Sequence, residues 1–211
     1  MAGSASVPRL LDDGDKPRAV KVMSSAFHQD PLWIRLVPNE AKRAAHLRRF
    51  FKFFMSTMLA TQEVYGLGNP LEAVAIWDTP EPRERPLRPP PEWAFFKLVF
   101  SPTFLVASKT SKIFDRFEQM RKLHAPGRHF YLVSIGVVSA SQGKGYASRL
   151  IRYELADADA RGFGTYVETM TEMNVPIYEH FGFELKEQWD LPKTNLSAWA
   201  LYRSPLKLSK P

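Results

Sequence analysis

Hydrophobic and polar residues recur at helical spacing in two early segments of the chain. The first spans residues 15–27, where Asp13 or Asp15 is placed to cap the N-terminus, and the second spans residues 39–61. The second segment has apolar residues every three or four positions: Ala44, Leu47, Phe50, Phe51, Phe54 and Leu59. A stripe of this width is typical of a helix packed on a core, so we interpret its aromatic residues as core rather than as a cofactor site.

Strand-like and irregular segments follow these two helices. Residues 63–67 and 71–77 are predominantly apolar runs separated by Gly68, Asn69 and Pro70, which predicts a β-hairpin. Six prolines between residues 79 and 91 exclude a helix or a central strand there and predict an extended surface loop. Residues 93–123 then have a helical pattern with a break near Pro102.

The last 80 residues alternate between strand and helix patterns. The predicted elements are a strand at 129–138, a glycine-containing turn, a helix at 145–161, a strand at 165–171, a short helix at 175–181, and strands at 184–191 and 196–202. A strand–helix–strand order predicts that the first two strands pair in parallel, with the helix packed across them. We therefore predict an α/β (α+β) fold and one domain over residues 1–211.

Composition narrows the class of protein. The chain has 45% hydrophobic residues and no cysteine, which excludes a disulfide framework and a cysteine nucleophile. Residues 1–7 are small or polar and are expected to be frayed. Because the chain begins without a signal-peptide pattern and has no apolar window of about 18 residues, we expect a cytoplasmic protein with no membrane partner.

The net charge of +7 raises the question of nucleic-acid binding. Residues 1–128 contain 20 basic and 13 acidic residues, whereas residues 129–211 contain 9 of each. The basic residues are scattered, and the tightest group, Arg83, Arg85 and Arg88, is interleaved with Glu81, Glu84 and prolines. We therefore expect no nucleic-acid partner.

The turn before the helix at 145–161 has the properties of an anion-binding site. Residues 142–147 read Gln-Gly-Lys-Gly-Tyr-Ala, and the small residues Gly143, Gly145 and Ala147 leave the backbone N–H groups of the helix start accessible. Lys144 adds a positive charge. The spacing fits neither a Walker loop nor a dinucleotide fingerprint. The alternative is that the glycines only form a tight turn.

This turn has a second motif downstream that makes it more specific. Residues 165–169, Thr-Tyr-Val-Glu-Thr, form the next strand, and they precede Asn174, Tyr178, Gly182 and Phe183. The two motifs together resemble the paired signature of the GNAT superfamily of acyl-CoA-dependent N-acyltransferases over residues 130–205. Residues 73–81, 135–137 and the Glu168-Thr169 pair extend the resemblance to the puromycin N-acetyltransferase-like group.

The resemblance implies a fold and a cosubstrate. The fold is a mixed sheet of six or seven strands with a splayed parallel pair, and acetyl-CoA binds with its pantetheine arm in the splay. The positions that match coenzyme-contacting ones are Gly136, Val137, Val138, Gln142, Gly143, Lys144, Gly145, Tyr146, Ala147, Ser148, Asn174 and Tyr178. In this arrangement Tyr178 faces the coenzyme sulfur.

Two residues are candidates for proton transfer during acetylation of an amine. Tyr178 is protonated at pH 7 and suits a general acid that protonates the leaving thiolate, while a backbone N–H near Val137 stabilises the oxyanion. Glu168 is a carboxylate in an otherwise apolar strand and is the candidate base. The alternatives are a structural tyrosine, an ion pair of Glu168 with a basic residue, and a water relay that replaces any single base.

The acceptor is expected to be the amine of a small molecule, possessing antibiotic- or toxin-like chemistry, as the resemblance suggests. A peptide or protein acceptor, or a non-catalytic acyl-CoA-binding module, is the alternative. The five histidines lack metal-ligand spacing, and no metal is expected. The helical pattern after the proline-rich loop starts with Trp93, Phe95, Phe96, Phe100 and Phe104, and we expect this aromatic run to form a wall of the acceptor pocket.

Overall fold

The computed structural model describes residues 7–81, 102–191 and 194–206, and it describes side chains in the helix that begins at Pro102 only from Ile113 onward. Residues 1–6, most of the proline-rich loop, and the aromatic run from Trp93 to Phe104 as a set of side chains lie outside these described residues. The predictions made for those segments therefore remain predictions.

Seven strands and six α-helices are present in the described residues. In chain order they are β1 (Arg9–Leu10), α1 (Lys16–Ala26), α2 (Pro31–Leu36), α3 (Glu40–Thr61), β2 (Glu63–Leu67), β3 (Ala73–Asp78), α4 (Pro102–His124), β4 (His129–Val137), α5 (Tyr146–Arg161), β5 (Gly164–Thr169), α6 (Val175–His180), β6 (Glu184–Leu191) and β7 (Leu196–Arg203). Short 3₁₀ turns occupy Ser139–Ser141 and Glu172–Asn174. The predicted helices and strands within the described residues are confirmed, with ends shifted by at most two residues.

Two elements were not predicted, because both are too short to show a periodicity. β1 has two residues and pairs with β2. α2 has six residues and starts in the usual way for a helix: the Asp30 side chain accepts a hydrogen bond from the Trp33 N–H, and Pro31 occupies the first turn.

A side-chain cap is present at α3, for which none was predicted, and absent at α1, for which Asp13 or Asp15 was predicted. Asn39 caps α3 by accepting a hydrogen bond from the Lys42 N–H at 3.0 Å. Asp15 occupies the cap position of α1, but its side chain does not cap the helix. Its two oxygens instead accept hydrogen bonds from Arg9 at 2.6 and 2.7 Å, because a bidentate ion pair competes with capping.

The strands form one mixed sheet in the order β1-β2-β3-β4-β5-β7-β6. All neighbouring pairs are antiparallel except β4 and β5, which confirms the predicted parallel pair. Their pairing extends only from His129↔Gly164 to Leu132↔Val167, although both strands continue beyond it. β4 and β5 therefore separate after Leu132, and a gap opens in the middle of the sheet.

A bulge in β4 lies at the start of this gap. Trp77 of β3 pairs with Leu132, whereas the preceding Ile76 pairs with Ser134, so Val133 is an extra residue. An extra residue bends the strand and increases its twist. The bulge therefore explains why β4 leaves β5 at this point.

Helices cover both faces of the sheet. α5 and α6 pack on one face, where Leu150, Ile151 and Tyr178 contact Leu132 and Val167 in one buried cluster. α1 and α3 pack on the other face over β2 and β3, and α2 and α4 pack on that same face over β5 and β7. Residues from both faces of the sheet therefore meet at the gap between β4 and β5.

Candidate active site

A cavity of about 560 Å³ occupies the gap between β4 and β5. Its walls include Leu132 and Val167, at the last paired position, and Glu168 and Tyr178, which come from opposite faces of the sheet. Clefts of this size are typical of sites for small ligands. The two candidate proton-transfer residues therefore line a single cavity.

Glu168 is held by two tyrosines on its own face of the sheet. Tyr166 lies two residues earlier on β5, and Tyr131 of β4 is its parallel partner. The hydroxyl of Tyr131 donates to Glu168 Oε2 at 2.8 Å, and that of Tyr166 donates to Oε1 at 2.9 Å. The carboxyl group is therefore fixed by both oxygens at the cavity wall.

The same surroundings change the acidity of Glu168. Burial raises its pKa from 4.5 to about 7, because a charged carboxylate is less stable away from water. The two tyrosine hydroxyls and the nearby Arg121 act in the opposite direction. Within the described residues Glu168 has no ion-pair partner, since Arg121 pairs with Glu118 and Asp78 instead. The alternative of an ion pair between Glu168 and a basic residue is therefore not observed among the described residues.

Tyr178 of α6 is buried, with 6% of its surface exposed, and its ring packs against Phe183. Within the described part of the chain its hydroxyl has no hydrogen-bond partner, and it lines the cavity. Burial raises the pKa of Tyr178 to about 12, so the phenol carries its proton at neutral pH. The ring is buried while the hydroxyl faces the cavity, where a ligand group can accept its hydrogen bond.

The glycine turn before α5 has open space where an anion is expected. Gly143 and Gly145 have φ of 76° and 78°, in the left-handed region that favours glycine. A Cβ placed on either one would meet no atom within 4 Å. The first N–H groups of α5, from Tyr146 to Ser148, lack acceptors within the helix because they belong to its first turn. This backbone is accessible and fits a pyrophosphate.

Among the other predicted coenzyme residues, Asn174 belongs to the cavity wall, whereas the rest lie at the end of β4, in the glycine turn and in the first turn of α5. Asn174 lines the cavity and donates to Thr169 Oγ1 at 3.1 Å, and Gln142 Nε2 donates to the Val137 carbonyl at 3.4 Å. Lys144 and Ala147 lie in the turn and the first turn of α5. Tyr146 hydrogen-bonds the Glu72 carboxylate, which lowers the pKa of Glu72.

The backbone of β4 shows which peptide groups are free for a ligand. The Val138 N–H donates to the Glu72 carbonyl at 2.9 Å, so it is not available. Because successive N–H groups of a strand point in opposite directions, the Val137 N–H is directed toward the gap. Gly136 has a structural reason to be glycine, because a Cβ there would lie 2.9 Å from Ala26 and Met23 of α1.

Several functional residues were missed at the level of sequence. Tyr166 could have been found from the sequence, because residues two apart on a strand lie on the same face and Glu168 comes two residues later. Tyr131 required the register of β4 on β5. The aromatic residues of α3 were interpreted as core, yet Phe50, Phe51 and Phe54 also line the cavity. This wall is completed by Phe27, Asp30, Leu32, Trp33 and Leu36, and α2, which carries three of them, was not predicted.

Neither a metal-binding cluster nor a membrane-spanning helix is present in the residues that the structure describes. They contain no group of three or more His, Asp or Glu side chains arranged to hold a metal ion. None of the helices within them combines the length and the apolar character needed to cross a membrane.

The family follows from comparison with known proteins. Residues 71–183 match the acetyltransferase (GNAT) family, a segment that contains the glycine turn, Glu168 and Tyr178. The seven-stranded mixed sheet with its splayed parallel pair is the fold predicted for such a protein. The chain therefore belongs to the acetyltransferase (GNAT) family, a family of acyltransferases.

Individual relatives agree with this family. An uncharacterized N-acetyltransferase of Schizosaccharomyces pombe is 42% identical over 66 residues, which cover 31% of this chain and 27% of that protein. A Corynebacterium glutamicum structure described as histone acetyltransferase HPA2 and related acetyltransferase has a TM-score of 0.66 at 19% identity, over 98% of this chain and 100% of that one. An insect putative arylalkylamine N-acetyltransferase from Aedes aegypti has a TM-score of 0.58 at 11% identity, over 93% of this chain and 86% of that one. At identities this low, the comparison shows that this chain and the two structures have the same fold, and no more than that.

Proposed function

We propose that this protein transfers an acetyl group from acetyl-CoA directly to the amine of a small molecule. The observation that carries the proposal is the cavity in the gap between β4 and β5, which brings a carboxylate with a pKa of about 7 and a phenol that keeps its proton at neutral pH to one site. A base poised near neutral pH and an acid that keeps its proton are the two groups that acetyl transfer needs.

The residues that hold acetyl-CoA in this proposal lie on the α5 side of the gap. The N–H groups at the start of α5 and the turn with Gly143 and Gly145 bind the pyrophosphate, and the free edge of β4 near Val137 pairs with the pantetheine arm. When bound, acetyl-CoA supplies an acetyl thioester, whose transfer yields an amide, a free thiol and one proton.

Three groups of the chain then act on the reacting atoms. Glu168 accepts a proton from the acceptor ammonium, directly or through a water, which leaves a neutral amine to form the new C–N bond. The Val137 N–H donates a hydrogen bond to the oxyanion that develops at the carbonyl. Tyr178 donates its proton to the sulfur as the C–S bond breaks.

The walls of the cavity favour a small acceptor with an apolar body. On the side away from α5, the cavity is lined by Phe27, Trp33, Phe50, Phe54, Phe114 and Phe117, together with Tyr131. Aromatic walls of this kind bury a ring or an alkyl chain rather than a peptide backbone, whose polar groups need partners. An acceptor with antibiotic- or toxin-like aromatic chemistry, as in the puromycin N-acetyltransferase-like group, fits these walls.

A screen of CoA release tests the proposal. The purified protein is incubated with acetyl-CoA and with aminonucleosides, arylalkylamines, polyamines, amino acids and lysine-containing or N-terminal peptides. We expect turnover with amines that carry an apolar body. Turnover confined to peptides would instead favour the protein acceptor, and acetyl-CoA binding without turnover of any amine would favour the non-catalytic module.

A further inference from the structure

The acceptor side of the cavity is acidic, although the whole chain carries a net charge of +7. Among the described residues, four carboxylates line the cavity, against one basic side chain: Asp30, Asp115, Glu118 and Glu168, with Arg121. Arg121 does not offset the others, because it pairs with Glu118 and with Asp78. The cavity therefore has an excess of negative charge on a basic protein.

Asp115 is exposed and Glu118 is paired with Arg121, so Asp30 and Glu168 are the two carboxylates of this set that are partly buried and not paired with Arg121. Asp30 lies at the start of α2, and its Oδ1 accepts a hydrogen bond from the Trp33 N–H at 3.1 Å. Among the described residues it has no ion-pair partner. Burial raises its pKa above the ordinary value, since only two backbone N–H groups act in the opposite direction. A carboxylate so placed gains most from a cation that enters the cavity.

Aromatic rings line the same cavity as Asp30. Trp33 and Phe50 meet edge to face with ring centroids 5.0 Å apart, and Phe50 stacks on Phe54 at 5.4 Å. All three line the cavity. Aromatic faces attract cations, most strongly where water is excluded, so these rings and Asp30 favour the same kind of group.

A separate observation shows that this cavity is built for a ligand. Tyr178 is 6% exposed, and within the described residues its hydroxyl has no partner, although it lines the same cavity. Glu168, on the same wall as Tyr131, is the proposed acceptor of the proton from the reacting amine. It therefore has a function that Asp30 does not duplicate.

We infer that the acceptor is a diamine with an apolar or aromatic body, in which one amine is acetylated beside Glu168 and the other cationic group binds at Asp30. This inference rests on the proposed function and specifies its substrate class. The aromatic walls enclose the body of the molecule between the two cationic ends, and the carboxylates exclude acceptors that carry a second group of negative charge.

Three acceptors with the same ring test the inference. They are 1,4-bis(aminomethyl)benzene, 4-methylbenzylamine and 4-(aminomethyl)benzoate, which place a cationic, a neutral or an anionic group opposite the reacting amine. We expect kcat/KM from CoA release to be highest for the diamine, by about 10- to 100-fold over the neutral amine, because a charge-assisted hydrogen bond in a partly buried site has this strength. The statistical factor of two from its two equivalent amines is well below this range.

Asp30→Asn tests the residue itself, because asparagine still caps α2 and removes only the charge. We expect the ratio of kcat/KM between the diamine and the neutral amine to fall at least tenfold. Asp13→Asn is the matched control, since it removes one exposed carboxylate outside the cavity and should leave the ratio unchanged.

The outcomes separate this inference from the proposed function. Equal turnover of the diamine and the neutral amine overturns the inference and leaves small-molecule acetylation standing. A diamine preference that survives Asp30→Asn, or falls equally in Asp13→Asn, overturns the assignment to Asp30. No CoA release from any small amine, with turnover of peptides, overturns the proposed function and the inference together.

Discussion

Glu168 lies on β5 and its side chain lines the cavity. Two tyrosine hydroxyls hold its oxygens at 2.8 and 2.9 Å, and burial raises its pKa to about 7. As the base it acts as a carboxylate, whose population grows as pH rises through that pKa. We expect kcat/KM to increase with pH up to about 7 and then to level off, apart from any limb due to the amine substrate itself.

Glu168→Gln tests this assignment, because the amide keeps the shape of the side chain and cannot take the proton. We expect kcat/KM to fall by about 100- to 10,000-fold and the limb near pH 7 to disappear. The measurement is a pH–rate profile of both proteins with one acceptor. If the limb near pH 7 persists in the variant, another group or a water relay is the base.

The second prediction at the residue scale concerns the hydroxyl group of Tyr178. Its hydroxyl has no partner among the described residues, so Tyr178→Phe removes no internal hydrogen bond, and the ring keeps its contact with Phe183 at 5.8 Å between centroids. We expect kcat to fall by about 10- to 10,000-fold, with acetyl-CoA affinity and Tm nearly unchanged. Measuring kcat, Kd and Tm on this variant distinguishes an acid from a group that binds the coenzyme or stabilises the fold. An unchanged kcat removes Tyr178 from the mechanism.

At the scale of elements, the start of α5 should hold the coenzyme phosphates. Gly145→Glu places a carboxylate where we expect a pyrophosphate, so acetyl-CoA binding should be lost. The φ of 78° makes any side chain at this position strained, and Gly145→Ala therefore serves as the control with the same strain and no charge. Calorimetric Kd values for acetyl-CoA should show a much larger loss in the glutamate variant than in the alanine variant. Equal affinity of Gly145→Glu and the wild-type protein would contradict the phosphate assignment.

α2 carries Asp30 and Trp33 to the cavity, and one arginine of α3 holds that segment in place. Arg43 is 4% exposed, and its guanidinium donates to the carbonyls of His28, Val37 and Pro38 at 2.8 to 3.1 Å. Arg43→Met keeps the bulk of the side chain and leaves these carbonyls without the donor. We expect a loss of about 2–4 kcal/mol in the free energy of unfolding and a higher KM for the acceptor, with acetyl-CoA affinity retained.

Denaturant unfolding and acceptor kinetics check this effect, with Arg48→Met as the control from an exposed position on the same helix. A loss of stability without a change in acceptor KM would show that the position of α2 does not control the acceptor site.

At the scale of the whole molecule, the buried carboxylate of Glu168 should lower the free energy of unfolding. The folded-state pKa of Glu168 is about 7 and its ordinary value is 4.5, so ionisation is disfavoured in the folded protein. Wild-type stability therefore falls as pH rises from about 4.5 to about 7, and the loss is constant above that range. Glu168→Gln avoids this loss and should raise the free energy of unfolding at pH 8 by up to about 3 kcal/mol, with little change near pH 4.5.

Urea unfolding at both pH values measures the difference, and Glu179→Gln, at an exposed position of α6, controls for the loss of one negative charge. Equal stability of Glu168→Gln and the wild-type protein at pH 8 would show that the carboxylate is not destabilised in the folded state.

The sequence by itself determined the long helices and strands and the glycine turn that precedes α5. The helical period of α3 and α5, the turn with Gly143 and Gly145, and the strands of the last 80 residues were all readable, because periodicity and turn residues act over a few neighbouring positions. Glu168 could be singled out on the same local basis, as a charge in an apolar strand.

Only the tertiary structure decided what surrounds that charge. The partnership of Glu168 with Tyr131 depends on the register of β4 on β5, and the gap beside them depends on the bulge at Val133. Trp33 is in a helix of six residues that Asp30 caps, and this helix is too short to show a period. Both residues reach the cavity because Arg43 of α3 holds the adjoining segment by hydrogen bonds to its carbonyls. These features come from contacts between residues distant in the chain, and such contacts follow from packing rather than from any local pattern.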